Sequence, residues 1–378
     1  MTRSISVAWV IKGLSRGGAE QLLVNLACVS SEHNLKIQIM NVLGSRDDLA
    51  PTLEELGVHV TSIGRDLRSR VTWPIRLIVM VYKQNIDIIH IHSPLPASIV
   101  RLLARLIPRR RFRIVYTEHS LWSAYHRLTR LANALTFSLN DVGIAVSDEV
   151  RRAMSTRAQN RTRVIFQGVR IDQVEAAATD SDSVRKEFGI ANGAVVVGTV
   201  GGLRPQKGTE YLLKAAAIAL QSNPELHFVI VGGGILEPNL KYLTRQLGID
   251  RSVAFLGVRS DPWRIMDMFD IFVMPSIAEG LPVALMESQV LGIASICTSV
   301  GGIPEAVRDN VDGILVAPKD PESLAREIRR LALDGELRRQ LAEAARRRSK
   351  DFDIQRTMRN YFEVYQSLLD SSITGSVP

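Results

Sequence analysis

The stretch VVVGTVGGLRPQKGTEYLLKAAAIAL, residues 195–220, decides the fold. It begins with a β-branched run of strand length, turns at two adjacent glycines and continues with apolar residues at helical spacing. A buried strand, a tight turn and a helix are the repeating parts of a parallel α/β sheet. Similar apolar runs recur at residues 226–231, 253–256, 271–274, 294–297 and 314–316. We expect all six to be parallel strands buried on both faces.

The N-terminal half shows the same alternation. Strand-like runs occupy residues 4–11, 36–42, 86–91, 113–117 and 142–146, and helical patterns such as GGAEQLLVNLACVS (17–30) separate them. A small, polar stretch at 172–183 is predicted to be a linker between the two alternations. Because 378 residues exceed the usual size of one core, we predict two Rossmann-like domains, 1–170 and 171–351.

Charge is distributed unevenly along the chain. Residues 1–170 carry 24 Lys and Arg against 12 Asp and Glu, whereas the remaining residues carry 23 against 27. Two basic segments stand out, one from Arg65 to Arg76 and one from Arg101 to Arg113. We predict that they face an anionic membrane surface, and solvated arginines are the alternative. Nucleic acid is disfavoured because aromatics total 6% and no nucleic-acid-binding module is present.

The composition does not favour a disulfide framework, a zinc site or a membrane span. Cys28 and Cys297 are the two cysteines, and they are far apart in sequence. The apolar runs are shorter than the roughly 20 residues that cross a bilayer. The first run lacks the cleavage site of a signal peptide. We predict a cytoplasmic protein, either free or peripheral on the cytoplasmic face of the membrane.

The loop GGLRPQKG, residues 201–208, has the features of an anion site. It follows a buried strand, carries Arg204 and Lys207, and turns at Gly208, with Thr209 placed to cap the next helix. Helix amides and two cations can neutralise the diphosphate of a departing nucleoside diphosphate. An ordinary surface loop is the alternative, and the segment is not a P-loop because G-x4-G-K-[ST] is absent.

A second element, DIFVMPSIAEGLPVALMESQVLG, spans residues 270–292. A buried strand leads into a loop with Glu279 and Gly280, Pro282 fits a first helical turn, and Glu287 lies within the helix. Two carboxylates at the carboxyl edge of a strand suit the vicinal hydroxyls of a sugar or a ribose. Taken alone, each glutamate is more typical of a solvent-facing residue or a helical salt bridge.

The N-terminal half offers weaker candidates. His119 follows the strand at 113–117, where an imidazole can donate or accept near neutral pH, although a lone histidine there usually only ends a strand. Gly17 and Gly18 would let a ligand approach the amides at the start of a helix. No pair of acids follows a buried strand, so we predict no metal site.

Together these motifs resemble glycosyltransferase family 4, a family of retaining enzymes, over almost the whole chain. Glu279 and Glu287 match its E-x7-E element, and Lys207 with Gly208 matches its K-G. Further matches are GGAE at 17–20, TEH at 117–119, GGG at 232–234 and GGIPE at 301–305. Their occurrence together and in order makes the resemblance specific.

The resemblance implies the GT-B fold, in which two Rossmann-like domains face each other across a cleft. The N-terminal domain would bind the acceptor and the C-terminal domain the donor. The helical segment 352–370, with its apolar face, would cross back to the N-terminal domain. The donor would be a nucleoside-diphosphate sugar acting as co-substrate, with no metal and no other cofactor.

The resemblance also implies roles for single residues. Glu279 would contact the transferred sugar, Glu287 the ribose and Lys207 the diphosphate. The predicted catalytic residues are His119, Arg204, Lys207 and Glu279. The other residues predicted to bind the donor are Gly18, Gly202, Gly232, Arg259, Gly280, Leu281, Val283 and Glu287.

Three positions depart from the family pattern. Gly202 replaces the arginine that usually contacts the diphosphate, Gln167 replaces a usual asparagine, and Ala294 replaces a usual proline. In an extended segment residues 202 and 204 point to the same side, so we expect Arg204 to reach the same phosphates.

The sequence therefore predicts retaining transfer of a sugar to a hydroxyl of a glycan or lipid-linked glycan, in cell-surface polysaccharide or glycolipid biosynthesis. Two alternatives stay open. One is a non-hydrolysing nucleotide-sugar epimerase, which would consume the donor without an acceptor. The other is a catalytically silent protein that binds a nucleotide sugar.

Overall fold

A computed structural model describes residues 4–15, 18–44, 47–64, 66–178, 181–191 and 193–373. The chain divides into two compact units. The first unit comprises Met1–Gly168 and Ile354–Pro378, and the second unit comprises Val169–Asp353. Each unit is built on one sheet whose paired strands are all parallel.

The sheet of the first unit is doubly wound. Its strands are β1 (Ile5–Ile11), β2 (Leu35–Asn41), β3 (His59–Ser62), β4 (Ile88–Ile91), β5 (Arg113–Glu118), β6 (Val142–Ala145) and β7 (Thr162–Val164). They lie in the order β3-β2-β1-β4-β5-β6-β7. The chain winds outward from β1 in one direction and from β4 in the other, so the topological switch lies between these two strands.

Helices connect the strands of the first unit. They are α1 (Gly18–Val29), α2 (Ala50–Glu55), α3 (Leu67–Lys83), α4 (Pro94–Arg105), α5 (Arg127–Thr136), α6 (Asp148–Arg152) and α7 (Thr156–Gln159). The apolar stripe of α1 packs on β1 in the main core of this unit. Burial of such a stripe, at helical spacing, stabilises the helix against the sheet.

The second unit repeats this architecture with six strands. They are β8 (Val196–Val200), β9 (His227–Val231), β10 (Val253–Gly257), β11 (Ile271–Met274), β12 (Ala294–Thr298) and β13 (Ile314–Val316). Their order is β10-β9-β8-β11-β12-β13, so the switch lies between β8 and β11. The helices are α8 (Ile171–Ala177), α9 (Ser181–Glu187), α10 (Thr209–Leu220), α11 (Glu237–Gln246), α12 (Pro262–Met266), α13 (Val283–Val290), α14 (Ile303–Ala306), α15 (Pro321–Leu333) and α16 (Gly335–Ser349).

The last helix, α17 (Ile354–Ile373), belongs to the first unit. It packs against α1, and Tyr361, Val364 and Tyr365 lie in the core of that unit. Its apolar face, predicted from the segment 352–370, therefore has its partner in the first unit.

A chain of buried hydrogen bonds ties α17 to three strands. Trp9 Nε1 on β1 donates to the Tyr365 hydroxyl at 3.2 Å, and that hydroxyl lies 2.5 Å from His90 Nδ1 on β4. His90 Nε2 lies 2.7 Å from Thr117 Oγ1 on β5, which lies 3.3 Å from the Tyr361 hydroxyl. Since all five side chains are buried, each of these polar groups depends on its neighbours for a partner.

The α/β fold class is confirmed, and all eleven predicted strands are present with ends within two residues of the prediction. β3 and β7 were not predicted because these short edge strands read HVTS and TRV, without an apolar run. The prediction that all six strands of the second unit are buried on both faces is wrong for β10. This strand lies at the edge of the second sheet and is only half-buried.

The linker predicted at 172–183 is wrong because most of this stretch is helical. Residues 171–177 form α8 and residues 181–187 form α9, while 179–180 lie outside the described residues. Val174 and Val184 are each buried, so one apolar residue fixes each short helix to the second unit. The alanines that suggested a linker also have the highest helix propensity.

Candidate functional site

Both predicted site segments of the second unit lie at its topological switch. β8 and β11 are paired in parallel, and the connections that leave them run to opposite sides of the sheet. Residues 201–208 follow β8, and residues 275–282 follow β11. Open α/β sheets bind ligands where two such loops diverge.

Lys207 and Glu279 meet at this switch although 72 positions separate them in sequence. Lys207 Nζ lies 2.6 Å from Glu279 Oε1, and Ser276 Oγ donates to the same oxygen at 2.6 Å. The Lys207 side chain is 32% exposed and that of Glu279 is 10% exposed. An incoming anion can thus replace Glu279 as the partner of the Lys207 ammonium, while Ser276 continues to donate to the Glu279 carboxylate.

Glycines allow the loops of the site to touch through their backbones. A Cβ on Gly208, whose φ is +62°, would overlap the carbonyl oxygen of Pro275. A Cβ on Gly301, whose φ is +54°, would overlap the carbonyl oxygen of Glu279. The loops after β8 and β12 are therefore held directly against the loop that carries Glu279.

Arg204 lies beside the place that Gly202 leaves open. A Cβ on Gly202 would lie 3.7 Å from Arg204 Nε. Arg204 is exposed, and within the described residues its guanidinium forms no hydrogen bond or ion pair. Beside it, a Cβ on Gly232 would overlap the carbonyl oxygen of Gly201, so this loop also meets its neighbour backbone to backbone.

Two helices at the site begin differently from the prediction. Gly208 is the N-cap of α10 and Thr209 is its first residue, buried and without a capping hydrogen bond, so the predicted Thr209 cap is wrong. Pro282, expected in the first turn, is the N-cap of α13, which begins at Val283. Neither helix has a side-chain cap, so its first amides remain available to a ligand or water.

Glu287 lies on α13 with its side chain facing the protein. It is 7% exposed, and burial raises the pKa of its carboxyl to about 7. The Trp263 indole beside it lowers that pKa to a smaller extent. The indole Nε1 of Trp263 is buried, and within the described part of the chain it has no hydrogen-bond partner. A ligand hydroxyl would provide partners that both groups lack.

We expect Glu287→Gln to stabilise the unliganded protein at alkaline pH. Because the folded pKa of about 7 lies above the ordinary value of 4.5, ionisation opposes folding increasingly as pH rises between these values. The variant should unfold in urea with a free energy about 3 kcal/mol higher than wild type at pH 8 and less than about 1 kcal/mol higher at pH 5. Glu225→Gln, on an exposed residue of the same unit, is the control. Equal differences at both pH values would contradict the burial argument.

The remaining candidates of the second unit differ in their accessibility. Arg259 follows β10 and donates two hydrogen bonds to Asp261, at 2.9 Å and 3.0 Å. Leu281 is buried, whereas Gly280 and Val283 are half-buried beside it. Arg259 is therefore already paired with a carboxylate, while Arg204 is not.

His119 in the first unit is held by two side chains. Gln167 Nε2 lies 2.8 Å from His119 Nδ1, and His119 Nε2 lies 3.1 Å from His92 Nδ1. Burial lowers the pKa of His119 to about 4, so the imidazole is neutral at physiological pH. The Gln167 amide donates to Nδ1 of His119, so the imidazole proton is on Nε2. That N–H donates to Nδ1 of His92.

His92 and Gln167 are functional candidates that the sequence analysis missed. His92 follows β4, and its Nε2 is buried without a partner among the described residues. The signal was present in IIHIHS, where two histidines alternate at the end of a buried strand. Gln167 was noted only as a departure from the family pattern, yet it holds the imidazole of His119.

Gly18 is the first residue of α1, and a Cβ there would meet nothing within 4 Å. Gly17, the other glycine of the predicted loop, lies outside the described residues. The approach of a ligand to the amides at this helix start therefore stays a prediction.

The two basic segments do not present all their arginines to solvent. Arg101 is fully buried and donates to Asn140 at 2.7 Å, so its place in the predicted anion-facing segment is wrong. It faces inward because α4 packs that side against α5. Arg110 and Arg113 pair with Asp141 at 2.7 Å and 3.4 Å.

The other arginines of these segments are exposed: Arg68, Arg70, Arg76, Arg105, Arg109 and Arg111. Arg65 lies outside the described residues. Three of the six arginines of the second segment are therefore available to an anionic partner. The three described arginines of the first segment are available as well.

The described ranges contain no candidate metal cluster and no candidate membrane span. No three His, Cys, Asp or Glu side chains converge there as ligands for a metal ion. No helix in that part of the chain combines the length and apolar character needed to span a bilayer. Cys28 is half-buried and Cys297 is buried, and both are free thiols.

Two Rossmann-like units and this site define the class of glycosyltransferases with the GT-B fold. The sequence model of glycosyl transferases group 1 matches residues 180–348, and the model of glycosyltransferase family 4 matches residues 16–173. The chain belongs to glycosyltransferase family 4.

Curated relatives agree with this assignment. The chain is 27% identical to the UDP-Gal:alpha-D-GlcNAc-diphosphoundecaprenol alpha-1,3-galactosyltransferase of Escherichia coli, over 72% of either protein. It is 26% identical to the N-acetyl-alpha-D-glucosaminyl L-malate synthase of Bacillus anthracis, over 78% of either protein. These two relatives are named for different acceptors, so membership of the family alone does not identify the acceptor.

Solved structures share the fold. The Anabaena protein Alr3699/HepE in complex with UDP-glucose aligns with a TM-score of 0.84 at 21% identity, covering 96% of this chain and 100% of that one. The lipopolysaccharide glycosyltransferase WaaG aligns with a TM-score of 0.74 at 16% identity, covering 96% of this chain and 99% of that one. At these identities the likeness establishes the GT-B fold.

Proposed function

We propose that this glycosyltransferase transfers a sugar from a uridine-diphosphate sugar to a hydroxyl of a glycan or lipid-linked glycan, with retention at the anomeric carbon. The Lys207–Glu279 pair at the switch between β8 and β11 is the observation that carries the proposal. A cation that reaches solvent beside a covered carboxylate suits a diphosphate bonded to a sugar. The donor named for the Escherichia coli relative and the ligand of the HepE complex support uridine diphosphate.

In this proposal Lys207 and Arg204 neutralise the diphosphate. Glu279 accepts hydrogen bonds from the sugar hydroxyls, and Glu287 accepts them from the ribose, where Trp263 provides an indole N–H. Arg204 has the role because its exposed guanidinium lacks a partner in the described ranges and lies beside the position of Gly202. The uncapped amides at the start of α13 add further donors for phosphate oxygens.

We infer a same-face displacement without a metal or other cofactor. The bond from the anomeric carbon to the phosphate oxygen breaks with its electrons remaining on that oxygen, while the acceptor oxygen bonds to the same face of the carbon. The departing oxygen takes the proton of the acceptor hydroxyl. The protein then contributes positioning and charge stabilisation. His119, which is neutral, can donate from Nε2 to a sugar hydroxyl in place of its contact with His92.

The acceptor side of the proposal concerns the first unit. A lipid-linked acceptor is supported by the diphosphoundecaprenol compound in the name of the Escherichia coli relative. It also agrees with the exposed arginines of α3 and of residues 105–111, which suit an anionic membrane surface. We propose that the enzyme works in cell-surface glycan biosynthesis as a peripheral protein on the cytoplasmic face of the membrane.

A thermal-shift panel of nucleoside diphosphates and nucleotide sugars tests donor binding. A ligand at 100 times its Kd stabilises the folded state by about 2.7 kcal/mol. For a unit of this size that raises the Tm by about 5–10 °C. We expect the shift with uridine diphosphate and its sugars, and a smaller shift in Lys207→Ala. The absence of a shift with every nucleotide would contradict the proposed donor class.

Product analysis separates this function from its alternatives. With donor and a glycan acceptor, we expect nucleoside diphosphate and an α- or β-linkage of the same configuration as in the donor. Conversion of the donor to its epimer without an acceptor would indicate an epimerase. A thermal shift without any product over a broad acceptor panel would favour a silent binding protein.

A further inference from the structure

Helix α5 has its polar side buried and its apolar side exposed. Asn133 and Thr136 are buried, whereas Leu128, Leu131 and Leu135 are 70%, 55% and 72% exposed. Since these leucines recur three and four positions apart, they form one stripe on the helix. Such a stripe normally faces a core, so its exposure on a soluble surface is typical of a binding site.

The buried side of α5 explains why the helix is held in this orientation. Asn133 accepts a hydrogen bond from Arg101 at 2.8 Å and donates to the Glu118 carboxylate at 3.1 Å. Glu118 also accepts hydrogen bonds from Tyr116 and Trp122, each at 2.8 Å. A half-turn rotation that buried the leucines would remove Asn133 from both Arg101 and Glu118, and losing a partner is costly for buried charges.

Further exposed apolar residues lie on a neighbouring helix and beside α5. Helix α4 packs against α5 and exposes Leu102, and Leu106, which directly follows α4, is also exposed. A groove of about 640 Å³ runs beside α5, lined by Leu131, Ala134 and Met154 together with Arg127 and Arg130. The exposed apolar surface therefore extends beyond a single helix and has cations at its edge.

The charge of this region is of one sign. Between Asp87 and Asp141 the only acidic residue is Glu118, which is fully buried. The guanidiniums of Arg127 and Arg130 have no ion pair or hydrogen bond in the part of the chain that the structure describes. The chemistry that matches exposed aliphatic side chains bordered by unpaired arginines is an anionic lipid leaflet.

We propose that α5 is a membrane-insertion helix: its stripe of Leu128, Leu131 and Leu135 enters an anionic phospholipid leaflet while Arg127 and Arg130 contact the headgroups. This element lies outside the two basic segments that the charge pattern singled out. The proposal rests on the proposed function. An enzyme that uses a lipid-linked acceptor must reach that acceptor at the membrane leaflet, and an inserted α5 would hold the enzyme there.

Sedimentation of the full chain with vesicles tests the insertion. The vesicles are either pure phosphatidylcholine or equal parts phosphatidylcholine and phosphatidylglycerol. Wild type should bind the anionic vesicles, and the triple variant Leu128→Ser, Leu131→Ser, Leu135→Ser should bind them at least tenfold more weakly. Arg127→Gln with Arg130→Gln should lower binding to anionic vesicles and weaken its dependence on salt.

The matched control carries serine at two exposed apolar positions of the second unit. Ile235 and Leu333 are 80% and 73% exposed, so Ile235→Ser with Leu333→Ser removes similar apolar surface elsewhere. This double variant should bind like wild type. All variants should keep the wild-type Tm, because exposed substitutions change stability little.

Each of the following outcomes would overturn the proposal. The triple variant could bind anionic vesicles as well as wild type, or wild type could bind neutral vesicles equally well. Alternatively, wild type could form a dimer that the triple variant abolishes, in which case a second copy covers the stripe. Sugar transfer to a short, water-soluble acceptor is measured in parallel. Vesicle binding without transfer would contradict the proposed function alone, and transfer without vesicle binding would contradict only this proposal.

Discussion

Replacing Lys207 with alanine should lower kcat about 10²–10³-fold, the usual effect of removing one donor from developing negative charge. The lysine is the cation of the site that both reaches solvent and touches Glu279. Its loss should leave folding intact, because Ser276 still donates to the carboxylate. Steady-state kinetics with a saturating uridine-diphosphate sugar measure the effect.

Lys241→Ala is the matched control for this variant. Lys241 pairs with Glu237 at 2.8 Å on the surface of the same unit. Its removal deletes a lysine–glutamate pair but no contact of Lys207 or Glu279, so kcat should stay within about twofold of wild type. Similar kcat values for Lys207→Ala and Lys241→Ala would refute the role of Lys207.

A single methyl group on Gly301 should both destabilise the second unit and disable the site. Gly301 has φ +54°, and its Cβ would overlap the carbonyl oxygen of Glu279. The left-handed backbone costs about 1–2 kcal/mol for alanine, and the overlap adds about 1–3 kcal/mol. We expect Gly301→Ala to lower the free energy of unfolding by about 2–5 kcal/mol. Displacing the Glu279 loop should lower kcat about 100-fold, as misplacement of a catalytic group by 1 Å does.

Gly248→Ala separates backbone strain from the overlap. Gly248 has φ +68°, and a Cβ there would meet nothing within 4 Å. This variant should lose about 1–2 kcal/mol in urea unfolding and keep its kcat. If Gly301→Ala behaved like Gly248→Ala in both measurements, the backbone contact with Glu279 would not be what holds the site.

The central strands could be predicted because burial on both faces leaves continuous β-branched runs. The edge strands of the first sheet could not, since the residues of β3 and β7 follow no such pattern. The helices at 171–177 and 181–187 were not predicted because they also bury few apolar residues. Each is held by one buried valine, which is too short a signal to distinguish a helix from a loop.

The site shows the same limit. Glu279 and Lys207 were singled out by motif, but their 2.6 Å contact depends on the pairing of β8 with β11, which no local pattern encodes. Arg101 was placed on the surface by its neighbours in sequence, whereas its position on α4 faces inward. The exposed stripe of α5 could not be predicted because amphipathic spacing does not say which side of a helix is buried.

The return of α17 to the first unit sets an order for biosynthesis. Tyr365 completes the buried chain from Trp9 to Thr117, so Trp9 Nε1 on β1 and His90 Nδ1 on β4 lack this partner until α17 leaves the ribosome. The second unit is continuous and can fold as it emerges, between the two parts of the first. At ribosomal rates of about 5–20 residues per second, its synthesis alone takes about 10–40 s. During that interval the nascent N-terminal half has an unfinished core and exposes apolar surface that a chaperone could bind.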